Sequence, residues 1–135
     1  MIGSAQLSKE ISVTAANKIG VLADIAKMMA EHGINIQAVA GYAVGDEAKI
    51  MLVTADNLRA TDALKKAGYK SLKENEVIVL ELENKAGVLK NVTDKLLAEN
   101  IDIKQIYGTA CVSECPARII LSTADNQKAL AVFKK

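Results

Sequence analysis

The chain states one pattern twice. Asn17-Lys18-Ile19-Gly20-Val21-Leu22 returns 67 positions later as Asn84-Lys85-Ala86-Gly87-Val88-Leu89. At the same offset Ile34-Asn35-Ile36 returns as Ile101-Asp102-Ile103, and Gly41 as Gly108. Thr54-Ala55-Asp56-Asn57 returns as Thr123-Ala124-Asp125-Asn126 at an offset of 69, so the second copy holds a two-residue insertion. A repeat this long is one small folding unit used twice. Each copy has about 65–70 residues, near the lower limit for an independent core, so two such units gain by packing together.

Composition narrows what the core is made of. Hydrophobic residues are 50% of the chain and aromatics only 3%, so Ile, Val, Leu, Ala and Met must fill the interior. The net charge is +1 with the signs interspersed. Without a basic stripe, neither nucleic acid nor an anionic membrane is an expected partner. No apolar run reaches the ~18 residues of a membrane span, and the first residues lack a secretory pattern. Two cysteines do not make a disulfide scaffold, so a soluble cytoplasmic protein with reduced thiols is expected.

Periodicity gives the order of elements. Ile11, Val13 and Ala15 alternate with polar residues and predict a strand with one buried face. Leu22, Ile25, Ala26 and Met29 follow at helical spacing, with Gly33 as the left-handed stop. Residues 34–42 predict a second strand, Gly45-Asp46-Glu47 a hairpin, and residues 49–54 a third strand. Asp56 or Asn57 caps a helix on Ala60, Ala63, Leu64 and Ala67. Gly68 ends it, and residues 69–72 form a short fourth strand.

The second copy repeats the series with a strand over 77–82 and a helix on Leu89, Val92 and Leu96. A strand over 101–107, a strand over 117–123 and a helix on Ala129, Leu130 and Phe133 complete it. Lys73-Glu74-Asn75 is the only linker. The fold class is therefore α+β: two tandem ferredoxin-like β-α-β-β-α-β units, with antiparallel sheets and helices on one face. The expected domains are 7–73 and 76–135.

One strand is missing from this scheme. Leu64 aligns with Phe133, so the second copy stops before the counterpart of Ala67-Gly68-Tyr69. It has no fourth strand of its own. Residues 69–73, or the N-terminal segment of a second chain, are expected to pair at that edge.

The segment kept in both copies is the strand-to-helix turn. Its Asn side chain suits a turn, its Gly permits unusual dihedrals and close approach, and the helix start behind it exposes N–H groups that favour a carboxylate. Asp24 and Asn91, in the first helical turns, are placed to accept from an ammonium. Together these describe an α-amino acid.

These residues carry a resemblance. Asn17 to Leu22 and Asn84 to Leu89 resemble the Asn-x-Pro-Gly-x-Leu signature of ACT domains, as do Gly33-Ile34-Asn35-Ile36 and Asn100-Ile101-Asp102-Ile103. The resemblance covers residues 9–73 and 76–133. It implies stand-alone tandem regulatory modules that bind amino acids at module interfaces. There the loop after the first strand faces a neighbour's second strand, and modules join into eight-stranded sheets through their second strands. Carried over by position, the ligand-binding candidates are Asn17, Gly20, Val21, Leu22, Asp24 and Asn35. In the second copy they are Asn84, Gly87, Val88, Leu89, Asn91 and Asp102. The signature Pro is Ile19 in one copy and Ala86 in the other, and Asp24 and Asn35 become Asn91 and Asp102. The two sites are therefore expected to differ.

Other features read more plainly. Cys111 and Cys115 read as incidental hairpin thiols, since two cysteines do not complete a metal site. His32 reads as a helix cap. Tyr42 and Tyr107 read as interface or packing residues. The first strand lacks the aromatics of RNA-binding relatives of this fold. No Ser-His-Asp set, phosphate loop or paired carboxylate stands out, so no catalytic residue, metal or cofactor is expected. The reading is a non-catalytic regulatory protein that binds an amino-acid effector, partners an amino-acid metabolic enzyme and forms a homodimer. The alternative is an assembly module without a ligand.

Overall fold

The computed structural model describes residues 2–110 and 115–134. The elements run β1 (Ile2–Ala16), α1 (Val21–Glu31), β2 (Ile36–Val44), β3 (Glu47–Thr54), α2 (Asn57–Lys66) and β4 (Ser71–Leu82). They continue with α3 (Val88–Ala98), β5 (Ile103–Thr109), β6 (Ala117–Thr123) and α4 (Asn126–Phe133). Two compact units result: Lys9–Asn75, and Met1–Ser8 together with Glu76–Lys135. We call them the first-copy and second-copy units.

The first-copy unit has the ferredoxin-like strand order β2-β3-β1-β4, using the second half of β1 and the first half of β4. β1 pairs antiparallel with β3 through Ile11 opposite Leu52 and Val13 opposite Ile50. These four side chains are buried with Ile25, Met29, Ala60 and Leu64 from the two helices, and Tyr69 and Leu72 pack against the cluster. The register explains the pattern: a period of about two in the strands and about 3.6 in the helices brings the apolar positions to one side.

The second-copy unit has the order β5-β6-β4-β1, and its fourth strand is the surprise. The first half of β1 lies beside β4, with Ile2, Ala5 and Leu7 packed on the core of Ile78, Leu80, Val92, Leu96, Leu121 and Phe133. Gly3 sits so close to β4 that a Cβ there would come 3.2 Å from the Glu81 carbonyl oxygen. Neither residues 69–73 nor a second chain fills the open edge. The chain's own residues 2–8 do, with Ile2, Ala5 and Leu7 packed on the core of that unit.

Three further expectations change. Lys73-Glu74-Asn75 is not a linker but the middle of one continuous strand, β4. Leu22, Ala26 and Leu89, placed on the buried helix faces by spacing, are exposed, Leu22 and Leu89 each at 49%. The inward rows are Ile25 and Met29 with the partly buried Val21, and Val88, Val92 and Leu96, one residue earlier at the first position. Ala67 lies exposed at the end of α2 rather than on its buried face.

The repeated Thr-Ala-Asp-Asn segments do the same work in each unit. Asn57 Oδ1 accepts from the Thr54 amide (3.2 Å) and hydroxyl (2.6 Å), while its Nδ2 donates to the Lys9 carbonyl. Asn126 repeats this with Thr123 and the Glu76 carbonyl. The side chain thus ties the end of one strand to the neighbouring strand and lets the Asp before it cap the helix. No described helix is long and apolar enough to cross a membrane.

Candidate functional site

The four helices start in two different ways. Asp56 accepts from the Arg59 amide (3.1 Å) and Asp125 from the Lys128 amide (3.0 Å), so α2 and α4 are capped by side chains. α1 and α3 start behind Gly20 (φ 95°) and Gly87 (φ 89°) with no side-chain cap. Those left-handed dihedrals require glycine for an unstrained turn. In the first-copy unit the loop is tied down elsewhere: the Asn17 amide donates to the Asp46 carbonyl at 2.7 Å. That bond clamps the loop to the tip of the β2–β3 hairpin.

Between this loop and the hairpin lies a cleft of about 390 Å³. The loop side is Asn17, Lys18, Gly20, Val21 and Leu22. The strand side is Val39, Ala40, Gly41, Tyr42 and Ala43 of β2, with Ala48 and Ile50 of β3 at the floor. The volume falls in the range of small-molecule sites. Leu22, Val39 and Tyr42 are 49%, 47% and 56% exposed, so the walls present apolar surface without a partner in this unit. β2 is also an outermost strand of its unit.

The predicted residues divide. Asn17, Gly20, Val21 and Leu22 come together on the cleft. Asp24 does not line it; its carboxylate accepts from the Tyr69 hydroxyl at 2.6 Å. Asn35 is exposed at the far end of α1, where its carbonyl accepts from the Ala55 amide. The 11 residues of α1 put roughly 16 Å between the two ends. Within one unit, Asn35 and Gly20 cannot touch the same small ligand.

The Tyr69–Asp24 contact has a pH signature. Burial, then the hydrogen bond to the Asp24 carboxylate and its charge, push the Tyr69 hydroxyl up to about 12 from 10.0. A raised folded-state value means the contact stabilises the fold fully below pH 10. That stabilisation is lost as the pH climbs through about 12. Tyr69→Phe should therefore remove part of the alkaline fall in melting temperature between these limits. Parallel pH-melting series of the two proteins check it, and identical slopes would sink it.

In the second copy the same loop meets different surroundings. Asn84 lines a cleft of about 550 Å³ with Lys85, Glu83, Gly3, Ser4 and Pro116, and Gly87, Val88 and Leu89 are not on it. Lys85 Nζ stands 2.9 Å from Glu83 and holds that carboxyl below its ordinary value. Val88 is a core residue, and Asn91 and Asp102 are exposed, the latter 3.0 Å from Lys104. Gly3 and Ser4 of the N-terminal strand line this second cleft, whereas no fourth-strand residue lines the first.

Sequence reasoning missed the strand side of the first cleft, apart from Tyr42. The repeated Gly41 was the available signal. His32 is a helix cap as expected: its amide and its Nδ1 both engage the Met28 carbonyl, at 3.2 and 2.8 Å. Cys115 is disulfide-bonded, which corrects the expectation of reduced thiols; Cys111 lies outside the described residues.

The ACT domain family profile matches residues 9–67. No curated protein matches the chain. Among solved structures, protein BT0572 from Bacteroides thetaiotaomicron is 25% identical with a TM-score of 0.88, covering 96% of this chain and 88% of that one. The ligand-free regulatory subunit of aspartate kinase from Thermus thermophilus is 13% identical with a TM-score of 0.69, covering 98% and 96%. Its counterpart from Thermus flavus is 15% identical with a TM-score of 0.66, covering 98% and 94%. The latter two likenesses are of fold. The residues that the ACT domain profile matches, 9–67, hold the repeated turn of the first copy and the elements of its unit from the second half of β1 through α2.

Proposed function

We propose that the chain is a non-catalytic regulatory protein that binds a small effector of the amino-acid class in the cleft of its first-copy unit. The observation that carries this is the cleft itself. The repeated Asn-Lys-x-Gly-Val-Leu turn forms one wall and the edge strand β2 the other. The regulatory subunits of aspartate kinase that share the fold support the same reading by analogy. An effector seated there touches Val39 to Ala43, the strand whose outer edge is open. Binding then biases what pairs with that edge, and a partner enzyme of amino-acid metabolism reads the result.

A thermal-shift screen against the amino acids and their biosynthetic relatives tests this. A ligand at a hundred times its Kd should add about 2.7 kcal/mol. Leu22→Asp should abolish the shift with the fold intact, since Leu22 is half exposed. A shift that survives in Leu22→Asp would remove the site from this cleft.

A second reading rests on the edge alone. β2 has nine residues, no charge and no proline, and exposes Val39, Tyr42 and Val44. Such an edge is a template for strand pairing. Under that reading the protein is an assembly module, here a homodimer, whose association is indifferent to amino acids. Sizing Val44→Lys against the parent protein, with and without effector, separates the two readings.

A further inference from the structure

The charge inventory of the first cleft does not match a whole amino acid. Lys18 is the only charged residue on its lining, and no aspartate or glutamate takes part. The acids nearest in the chain are accounted for. Asp24 is engaged by Tyr69 and lies off the cleft. Asp46 contributes its backbone carbonyl to the loop clamp, and its side chain does not line the cleft. Glu47 stands 3.7 Å from the Lys49 ammonium. A ligand carboxylate therefore meets a cation, whereas a ligand ammonium meets no counter-charge on these walls. The larger part of the remaining surface is apolar, from Leu22, Val39, the Tyr42 ring and Ile50, with the uncharged polar groups of Asn17 and Tyr42 beside it.

Gly41 sharpens the point. Both copies keep glycine at this position, opposite Ile50 in one unit and Ile119 in the other. In the second copy it is a packing necessity: a Cβ on Gly108 would fall 2.4 Å from Ile119 Cδ1 and 2.6 Å from the Arg118 carbonyl oxygen. At Gly41 a Cβ meets only ordinary contacts, 3.7 Å from Ile50 and from the Lys49 carbonyl oxygen. The first unit's packing does not demand this glycine, yet its bare face lies on the cleft. Its missing side chain leaves room beside the strand for an apolar body.

We infer that this cleft takes a small monocarboxylate with an apolar body, and that it does not read an α-ammonium. A 2-oxo acid or simple carboxylic acid fits it as well as the matching amino acid. The inference rests on the effector reading above and narrows its ligand.

The test is calorimetric titration of the full chain with matched triads of amino acid, 2-oxo acid and amine. The triads are alanine, pyruvate and ethylamine; leucine, 4-methyl-2-oxopentanoate and 3-methylbutylamine; phenylalanine, phenylpyruvate and phenethylamine. In the best-binding triad, the oxo acid should bind within tenfold of the amino acid or tighter, and the amine should be silent. Lys18→Met should weaken the oxo acid at least tenfold. Gly41→Val should block it while the melting temperature holds. An oxo acid more than tenfold weaker than its amino acid would overturn the inference and leave the effector reading standing. Undiminished binding in Lys18→Met or Gly41→Val would also overturn it. Silence across all nine compounds would bring down both readings together.

Discussion

Gly108→Ala should lower stability by on the order of 2 kcal/mol, roughly 5–10 °C in melting temperature, whereas Gly41→Ala should change it by less than about 0.5 kcal/mol. The positions are equivalent by sequence and by register, so the contrast isolates local packing. At Gly108 the added carbon would overlap Ile119 Cδ1, which can rotate away. It would also overlap the Arg118 carbonyl oxygen, which is backbone and moves only if β6 moves. At Gly41 no atom needs to move. Thermal melts of the two single variants decide the matter. Equal losses would mean that the glycine is kept for the strand geometry common to both units rather than for close approach.

The second large effect belongs to the N-terminal strand. Deleting residues 1–8 should strip the second-copy unit of its fourth strand and of three apolar contacts from Ile2, Ala5 and Leu7. A fully buried Ile or Leu is worth about 1.5–3 kcal/mol, and these are half-buried, so side chains alone cost on the order of 3 kcal/mol. The unpaired edge of β4 adds to that. Against a total stability of about 5–15 kcal/mol this is a large share. Hydrogen exchange should show lost protection in α3, β5 and β6, while amides of α1, β3 and α2 stay protected. A synthetic peptide of residues 1–8 should restore protection by strand addition. Unchanged exchange after the deletion would show that the strand is dispensable.

Legibility from sequence followed the physics of each signal. The repeat, the helix stops at Gly33 and Gly68 and the Asp caps are local, and the structure places them where the residues put them. The fourth strand of the second unit was not legible, because pairing between residues 2–8 and β4 spans more than seventy positions. Residues 2–8 alternate too weakly to announce a strand: Gly3, Ser4 and Gln6 separate small apolar groups. The helix faces were misjudged by one residue because Val-Leu doublets fit either register of a helix start. Glu10, 2% exposed in β1, carries no sequence mark of burial at all. At the cleft, the loop wall was visible through its duplication. The β2 wall depends on how the hairpin folds back over the loop, which no local pattern encodes.

The split of β1 and β4 between the units also sets a timetable for synthesis. Residues 9–75 hold every strand of the first-copy unit, so it can close as soon as they leave the ribosome. Residues 2–8 emerge before all of these, yet their partners are the last sixty of the chain. At about 5–20 residues per second the 67 residues from Lys9 to Asn75 take roughly 3–13 s and the 60 from Glu76 onward roughly another 3–12 s, an interval in which Ile2 and Leu7 stand in water. Synthesis in that order passes through a half-built stage in which the first-copy unit has all its strands and residues 2–8 have none of their partners.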